Sequence, residues 1–181
     1  LIIAMLIIIV DAGTPSYRQE RIGKNGKKIK VFKFRSMKKN ADEIEKTLTP
    51  EQLEQYQREY KIDNDPRLIG KHFGSFIRKS SLDELPQLFN ILKGDMSVVG
   101  PRPERPFFVE KFKEEIPRYM IKHQVRPGMT GWAQVNGFRG DTSIEKRIEY
   151  DLYYIENWNM IFDIKILFKT IFRGFFNKNA Y

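Results

Sequence analysis

The sequence has 181 residues, of which 41% are hydrophobic and 13% aromatic, so it can bury a core and is not an intrinsically disordered chain. It contains no cysteine, which excludes disulfides and thiolate metal sites and is typical of a reducing compartment. The net charge of +9 indicates an anionic partner, for which nucleic acid, a phosphorylated substrate and an anionic membrane are the alternatives.

The chain opens with an apolar run, LIIAMLIIIV, at residues 1–10. As a helix this run would reach about 15 Å, roughly half of a bilayer core. Asp11, Gly13 and Pro15 then end it. A basic start and a small-residue cleavage site, which a signal peptide requires, are missing from the run. We interpret it as the end of a longer membrane-inserted segment; a buried strand or core helix is the alternative.

A basic segment follows, with nine lysines or arginines and no acidic residue between Arg21 and Lys39. Within it, cations alternate with apolar and aromatic residues in KIKVFKFRSM, residues 28–37, which predicts a β-strand. Residues 40–65, in contrast, contain more acidic than basic residues. There the sequence TPEQ, residues 49–52, is typical of a helix N-cap followed by proline, and predicts a surface helix over 50–62 with no chemistry of its own.

The segment SSLDELPQLFNILKGDMSVVGPRPE, residues 80–104, predicts a helix that runs from about 83 to 93 and ends at Gly94. Because proline has no N–H, Pro86 belongs in the first turn of this helix. Asp83 and Glu84 are therefore expected at its N-terminal end, where unpaired N–H groups and the macrodipole favour carboxylates. Ser81 and Glu84 also fit a capping box, which is a purely structural explanation of the pair. MSVV then predicts a short strand, and the prolines that follow exclude a helix until past Pro106.

The surroundings of the two carboxylates favour chemistry as well as structure. Cations lie just upstream, in the proline-rich turn and in the basic strand: Arg78, Lys79, Arg102, Lys33 and Arg35. Carboxylates, cations and a helix N-terminus together can hold phosphate charge. An ionised carboxylate there can attack phosphorus or bind Mg²⁺, and a divalent metal would allow two adjacent carboxylates to stay ionised. The residues therefore leave two roles open for Asp83 and Glu84, as a nucleophile or as ligands of Mg²⁺, which is the cofactor expected at this site.

The C-terminal half carries three further predictions. The glycine-rich stretch RPGMTGWAQVNGFRG, residues 126–140, is expected to be a loop or hairpin region. Thr142 and Glu145 resemble a capping box for the next helix. The last helix, over 163–176, places a basic stripe on a strongly apolar surface, which favours a position in the headgroup plane of an anionic leaflet. A core helix with a solvated charged edge is the alternative. The stripe consists of Lys165, Lys169 and Arg173.

Histidines and tryptophans are assigned no chemistry. His72 and His123 lack metal-ligand spacing and are interpreted as structural. Trp132 and Trp158 are interpreted as packing or interfacial residues.

Four long segments, in order along the chain, resemble the bacterial sugar transferases, that is, the monotopic phosphoglycosyl transferases or polyprenyl-phosphate hexose-1-phosphate transferases. They are YRQERIGKNGKKIKVFKFRSM (17–37), RKSSLDELPQLFNILKGDMSVVGPRPE (78–104), KHQVRPGMTGWAQVNG (122–137) and EYDLYYIENWNMIFDIKILFKTIF (149–172). The resemblance extends over the whole chain and is weakest over 40–65.

The resemblance implies transfer of a sugar phosphate from a nucleotide sugar, typically a UDP-sugar, to polyprenyl (undecaprenyl) phosphate through a covalent phosphosugar-aspartate. It implies that Asp83 is the nucleophile, that Glu84 is its Mg²⁺-associated partner and that Lys33 is a catalytic cation. The phosphate- or substrate-binding candidates are Arg78, Arg102, Arg35, Asp151 and Gln134.

The resemblance also implies a re-entrant entry helix, an anionic leaflet as partner and a site on the cytoplasmic face of the bacterial inner membrane. No nucleic acid is expected as a partner, and a homodimer is left open. The expected fold class is α+β, mainly helical with short strands. The expected organisation is a membrane segment (1–11), a catalytic domain (12–160) and an interfacial helix (161–176). The alternatives from other classes are a basic nucleic-acid-binding module, favoured by the cations around Phe32 and Phe34, and a non-catalytic membrane scaffold.

Overall fold

The computed structural model describes residues 1–41, 43–59, 62, 65–70, 72–139 and 142–174. Helices predominate in this part of the chain, and the short strands form two-stranded sheets, which confirms the α+β class. The chain divides into two compact units. The first contains Leu1–Tyr17 and Phe34–Asp83, and the second contains Arg18–Lys33 and Glu84–Tyr181.

The first unit is built from helices α1 (Ile2–Val10), α2 (Ile44–Thr47), α3 (Pro50–Glu59) and α4 (His72–Lys79). Its core consists of Ile7, Ile69 and Ile77, packed against Ile3, Phe34, Phe73 and Leu82. The predicted N-cap of α3 is confirmed, since Thr49 Oγ1 accepts a hydrogen bond from the Gln52 N–H at 3.3 Å. Residues 60 and 61, at the end of the predicted range, lie outside the described residues.

The apolar run at the start of the chain is helix α1. Only Ile7 of this helix is buried, and it lies in the core of the first unit. Most of the other apolar side chains of α1 are exposed, including Ile2 and Ile9. Within the described ranges, no helix is both long and apolar enough to cross a membrane.

The second unit holds most of the sheet formed by β1 (Ser16–Ile22) and β2 (Lys28–Phe34). It also holds β3 (Ser97–Val99), which pairs in parallel with β4 (Gly128–Thr130). Its helices are α5 (Gln87–Leu92), α6 (Pro106–Glu115), α7 (Trp132–Val135), α8 (Ile144–Glu156) and α9 (Met160–Gly174). The strand predicted over 28–37 is confirmed over 28–34, where β2 ends. The strand in MSVV and the last helix are confirmed; residues 175–176 lie outside the described residues.

Two predictions about local structure are wrong. Residues 126–140 are not simply a loop or hairpin, because they contain β4, paired in parallel with β3, and helix α7. Glycine permits this pairing, since a Cβ on Gly128 would lie 2.1 Å from the Gly100 nitrogen. Helix α8 is capped by Ser143 rather than by Thr142, and Ser143 Oγ accepts from the Lys146 N–H at 3.3 Å.

Candidate active site

Asp83 and Glu84 lie in a short 3-10 turn, Leu82–Glu84, that precedes helix α5. The prediction that the helix starts at residue 83 is wrong, because α5 begins at Gln87 with Pro86 as its N-cap residue. Pro86 lies immediately before the first helical residue, a position at which its missing N–H removes no intrahelical hydrogen bond. The N-terminus of α5 therefore does not explain the charge of the two carboxylates.

Cations of the second unit surround Glu84 instead. Lys33 Nζ lies 2.9 Å from Glu84 Oε1, and Arg102 Nη2 lies 2.6 Å from the same oxygen. Arg102 Nη1 lies 3.3 Å from Oε2, so the guanidinium contacts both carboxylate oxygens. Arg139 Nη2 is 3.5 Å from Oε1. The side chain of Glu84 is 5% exposed, so these contacts are shielded from solvent.

The charge of Glu84 follows from this arrangement. Burial alone would raise the pKa of the carboxyl, but the charges of Arg102 and Lys33, with a smaller effect of Arg139, outweigh it. They hold the pKa of Glu84 well below its usual range, so this carboxylate is ionised at neutral pH. A single buried anion thus orients several cations in one place.

Each cation is positioned by a different local structure. Lys33 is carried by β2, whose alternating pattern directs it inward, and only 7% of it is exposed. Arg102 lies in the proline-rich turn, which is anchored because Gly128 N–H donates to the Pro101 carbonyl at 2.9 Å. The prediction that Lys33 and Arg102 come together with Glu84 is supported by this geometry.

Arg139 was not predicted from the sequence. It lies between two glycines in a stretch without periodicity, so no hydrophobic pattern indicates that its side chain points inward. The positive charge of Arg139 was the only feature of the sequence that could have indicated a role at the site. The side chain of Arg139 is nonetheless only 12% exposed.

Asp83 belongs to the first unit and is also buried, with 6% of the residue exposed. The turn that carries it is anchored by Leu82, which packs against the cluster of Ile7, Ile69 and Ile77. Arg78 is half-buried in the last turn of α4, and its charge contributes weakly to lowering the pKa of Asp65. The predicted role of Arg78 in binding phosphate stays a prediction.

Arg35 forms hydrogen bonds with the residues that follow the C-terminal end of α1. Its Nε donates to the Thr14 carbonyl at 2.8 Å, and its terminal nitrogens bind the carboxylate and the carbonyl of Asp11. These contacts fix the turn by which the chain leaves α1. The predicted substrate-binding role of Arg35 also stays a prediction.

Asp151 lies in a buried cluster of charges in the second unit. Lys122 Nζ lies 2.9 Å from Asp151 Oδ2 and 3.1 Å from Glu104 Oε1, and the Tyr119 hydroxyl donates to Glu104 at 3.2 Å. Burial would raise the pKa of Glu104, but Lys122 and Arg147 lower it to about 2. This cluster joins α8 to the chain just after Arg102 and accounts for the burial of Asp151.

Gln134 is buried in α7, where its Nε2 donates to the Met129 carbonyl at 3.3 Å. Its predicted role in binding substrate is not tested by this contact. In the described ranges, no group of three or more histidine, aspartate or glutamate side chains could hold a metal ion.

Comparison with known proteins identifies the class. The family model for bacterial sugar transferases matches residues 1–177. The chain is 48% identical over 183 residues to the UDP-glucose:undecaprenyl-phosphate glucose-1-phosphate transferase of Escherichia coli (strain K12), covering 99% of this chain and 36% of that relative.

Two further relatives extend the comparison. The UDP-galactose-lipid carrier transferase of Erwinia amylovora is 44% identical over 174 residues, covering 94% of this chain and 35% of that protein. The exopolysaccharide production protein ExoY of Rhizobium meliloti is 40% identical over 174 residues, covering 94% of this chain and 74% of that protein. This chain belongs to the bacterial sugar transferase family. It spans little more than a third of the length of the first two relatives.

Proposed function

We propose that this chain transfers a sugar-1-phosphate from a nucleoside diphosphate sugar, a UDP-sugar, to undecaprenyl phosphate. The observation that carries the proposal is the buried Glu84 carboxylate among Lys33, Arg102 and Arg139, next in the chain to the buried Asp83. Relatives named for transfer between UDP-sugars and undecaprenyl phosphate support the substrate classes.

The reaction has two displacement steps at one phosphorus. A carboxylate oxygen of Asp83 attacks the sugar-linked phosphorus, and the bond from that phosphorus to the nucleoside monophosphate breaks. The products are the free nucleoside monophosphate and an acyl phosphate, in which the Asp83 carboxyl and the sugar phosphate form a mixed anhydride. An oxygen of undecaprenyl phosphate then attacks the same phosphorus, the bond to Asp83 breaks, and undecaprenyl diphosphate sugar leaves. Asp83 returns to its ionised form without net proton transfer.

The cations around Glu84 supply the electrostatics of this proposal. Phosphoryl transfer depends on positioning and on stabilising charge on the transferring group. Glu84 holds Lys33, Arg102 and Arg139 in one orientation before substrate arrives, so little reorganisation is needed. In this role Glu84 is a positioning residue, and the cations are the groups that contact the diphosphate.

We also propose Mg²⁺ as a cofactor, held by Asp83 and Glu84. The donor set fits the ion, because Mg²⁺ commonly uses one or two carboxylates and completes its shell with water and phosphate oxygens. Glu84 Oε2 retains capacity for a further ligand, because an ionised carboxylate oxygen has two lone pairs and the contact with Arg102 Nη1, at 3.3 Å, uses one of them. The ion would neutralise charge on the diphosphate. EDTA should abolish nucleotide release, and excess Mg²⁺ should restore it; full turnover in chelator would remove the metal.

We propose a membrane location, which exposed apolar surfaces support. Helix α9 exposes Met160, Ile161, Phe168 and Phe172, and α1 exposes most of its side chains. Surfaces of this kind mark contact with lipid or another apolar partner. We propose that both helices lie in the cytoplasmic leaflet, where an undecaprenyl acceptor is available.

The nucleic-acid alternative has less support. Phe32 is covered by Arg18, whose Cζ lies 5.0 Å from the ring centroid, and Phe34 packs into the core of the first unit. Neither ring is therefore presented as a stacking platform. Binding to anionic vesicles but not to oligonucleotides at physiological salt would separate the two functions.

The proposed function is tested with a panel of UDP-sugars and undecaprenyl phosphate in detergent. The expected result is release of UMP and formation of undecaprenyl diphosphate sugar with at least one sugar. Lys33→Met and Arg102→Met should each slow the formation of both products by roughly 100- to 1,000-fold, which leaves a measurable rate, whereas the exposed Lys28→Met should be unaffected. Failure of every UDP-sugar to yield UMP with the full-length protein would contradict the substrate class.

A further inference from the structure

Asn90 is a polar residue buried completely in α5, a helix in which the apolar side chains of Leu88, Phe89 and Leu92 are exposed. Asn90 Oδ1 accepts a hydrogen bond from the Phe32 N–H at 2.9 Å, and Nδ2 donates to the Lys30 carbonyl at 2.9 Å.

These two bonds have the pattern that a residue of a neighbouring parallel strand would form with β2. The Phe32 N–H and the Lys30 carbonyl flank Val31, and a residue of a parallel strand would bond to such a flanking pair. An amide side chain offers the same donor and acceptor as a peptide group. Asn90 therefore fixes the register of β2 against α5, which no apolar residue of similar size could do.

The backbone of Asn90 extends the connection. Its carbonyl accepts from the Asp95 N–H at 3.0 Å and from the Met96 N–H at 3.2 Å. Met96 is buried with Ile29 and Val31 of β2. One residue thus joins β2, α5 and the turn that leads into β3.

The connection bears directly on the candidate active site. Lys33 is the residue after Phe32, and Glu84 lies in the turn that precedes α5. Their contact, 2.9 Å from Lys33 Nζ to Glu84 Oε1, joins β2 to the turn that leads into α5, so it depends on the position of β2 relative to α5 that the Asn90 hydrogen bonds set. We propose that Asn90 is a positioning residue that sets the Lys33–Glu84 contact, an inference that rests on the proposed function.

The first test measures lysine accessibility and does not require activity. Asn90→Leu keeps the approximate volume and removes both hydrogen bonds. Asn90→Asp keeps the acceptor for the Phe32 N–H but places a carboxylate oxygen against the Lys30 carbonyl, where Nδ2 had donated. Acetylation kinetics by mass spectrometry should show Lys33 becoming reactive in both variants. Lys122, which is 2% exposed in a different cluster, reports on the fold and should stay protected. The matched control is Asn157→Leu, at the exposed end of α8, which should leave Lys33 protected.

The second test measures nucleotide release. Displacement of a catalytic cation by about 1 Å can slow a reaction on the order of 100-fold, so Asn90→Leu should lose activity to that extent. If Asn90 acts through Lys33, adding Asn90→Leu to Lys33→Met should cause no further loss.

Three outcomes would overturn the inference. They are unchanged protection of Lys33, joint loss of protection at Lys33 and Lys122, and additive losses in the double variant. If the wild-type protein releases no nucleotide, the proposed function fails, and the acetylation result alone decides the role of Asn90.

Discussion

Arg102 binds Glu84 through both of its terminal nitrogens, with Nη2 2.6 Å from Oε1 and Nη1 3.3 Å from Oε2. A planar guanidinium matches a carboxylate in this way, whereas the ammonium group of lysine provides a single point of charge. Glu84 is buried and Arg102 is partly buried, and the charge of the guanidinium helps to keep the carboxylate ionised, by lowering the pKa of Glu84.

Arg102→Lys should therefore reduce nucleotide release by roughly 100-fold, the scale for losing one preorganised donor at a developing charge. The reason is that a lysine cannot contact both oxygens of Glu84 and the substrate phosphate together. Steady-state kinetics with a UDP-sugar would measure the loss. The matched control is Arg118→Lys, since Arg118 forms an exposed pair with Glu156 and should be insensitive. Equal rates for Arg102→Lys and wild type would contradict the role given to the two-point contact.

Lys122 should be critical for folding rather than for the chemical step. Its removal in Lys122→Met leaves Glu104 and Asp151 buried together without their shared cation. Breaking such a buried pair typically destabilises a protein by about 3–5 kcal/mol. Urea denaturation of the detergent-solubilised protein would measure the change, with Lys113→Met as a control because Lys113 pairs at the surface with Glu110. A change no larger than that of the control would mean that the cluster contributes little.

His123 should make the protein less stable in acid. Burial, and the nearby charge of Lys122, lower the pKa of His123 to about 4. In the unfolded chain the pKa of the His123 imidazole is near 6.5, so between about pH 6.5 and 4 the unfolded chain binds a proton that the folded protein does not. The contribution of His123 to the free energy of unfolding is therefore complete above about pH 6.5 and falls as the pH decreases towards 4. The expected loss is about 3 kcal/mol. His123→Phe should flatten the pH dependence of the melting temperature in this window, and an unchanged slope would show that His123 does not titrate there.

The exposed apolar side chains of α9, rather than its lysines, should dominate membrane binding. Lys165 and Lys169 lie over the Trp132 ring, with Nζ atoms 5.4 and 4.4 Å from its centroid, and the side chain of Arg173 lies outside the described residues. Asn substitutions at Ile161, Phe168 and Phe172 should weaken binding to neutral and anionic vesicles alike. Lys165→Gln with Lys169→Gln should reduce only the additional affinity for anionic vesicles at low salt. The reverse pattern in a vesicle sedimentation assay would contradict this orientation.

Sequence periodicity predicted the type of secondary structure better than it predicted which side of each element is buried. The spacing of Leu85, Leu88, Phe89 and Leu92 correctly indicates a helix, yet these side chains are exposed while Asn90 is buried. An apolar stripe normally faces the core, but here the helix presents polar atoms to the backbone of β2. The alternation in β2, by contrast, agrees with its burial pattern, in which Ile29, Val31 and Lys33 are buried on one face, because the period of a strand directs alternate side chains to opposite faces.

The remaining features depend on contacts between distant parts of the chain. The parallel pairing of β3 with β4 requires glycine at position 128, where the backbone approaches that of Gly100. The sequence alone does not show that these two residues are neighbours. The cation Arg139 and the cluster around Lys122 likewise combine residues far apart in sequence, for which local patterns carry no signal. The carboxylate pair, Lys33 and Arg102 could be predicted from the sequence because motif, charge and resemblance all indicated the same segments.

The central claim is that Asp83 forms a covalent phosphosugar intermediate, and incubation with UDP-sugar in the absence of lipid acceptor tests it most directly. The account predicts a burst of about one equivalent of UMP per active site. It also predicts that mass spectrometry of the quenched protein will place a hexose-phosphate adduct on the peptide containing Asp83. Asp83→Asn keeps the shape of the side chain but is a much poorer nucleophile, so it should show neither burst nor adduct. Absence of UMP release from wild-type enzyme without acceptor, in a preparation that turns over when undecaprenyl phosphate is added, would contradict the claim and favour direct attack by the lipid phosphate.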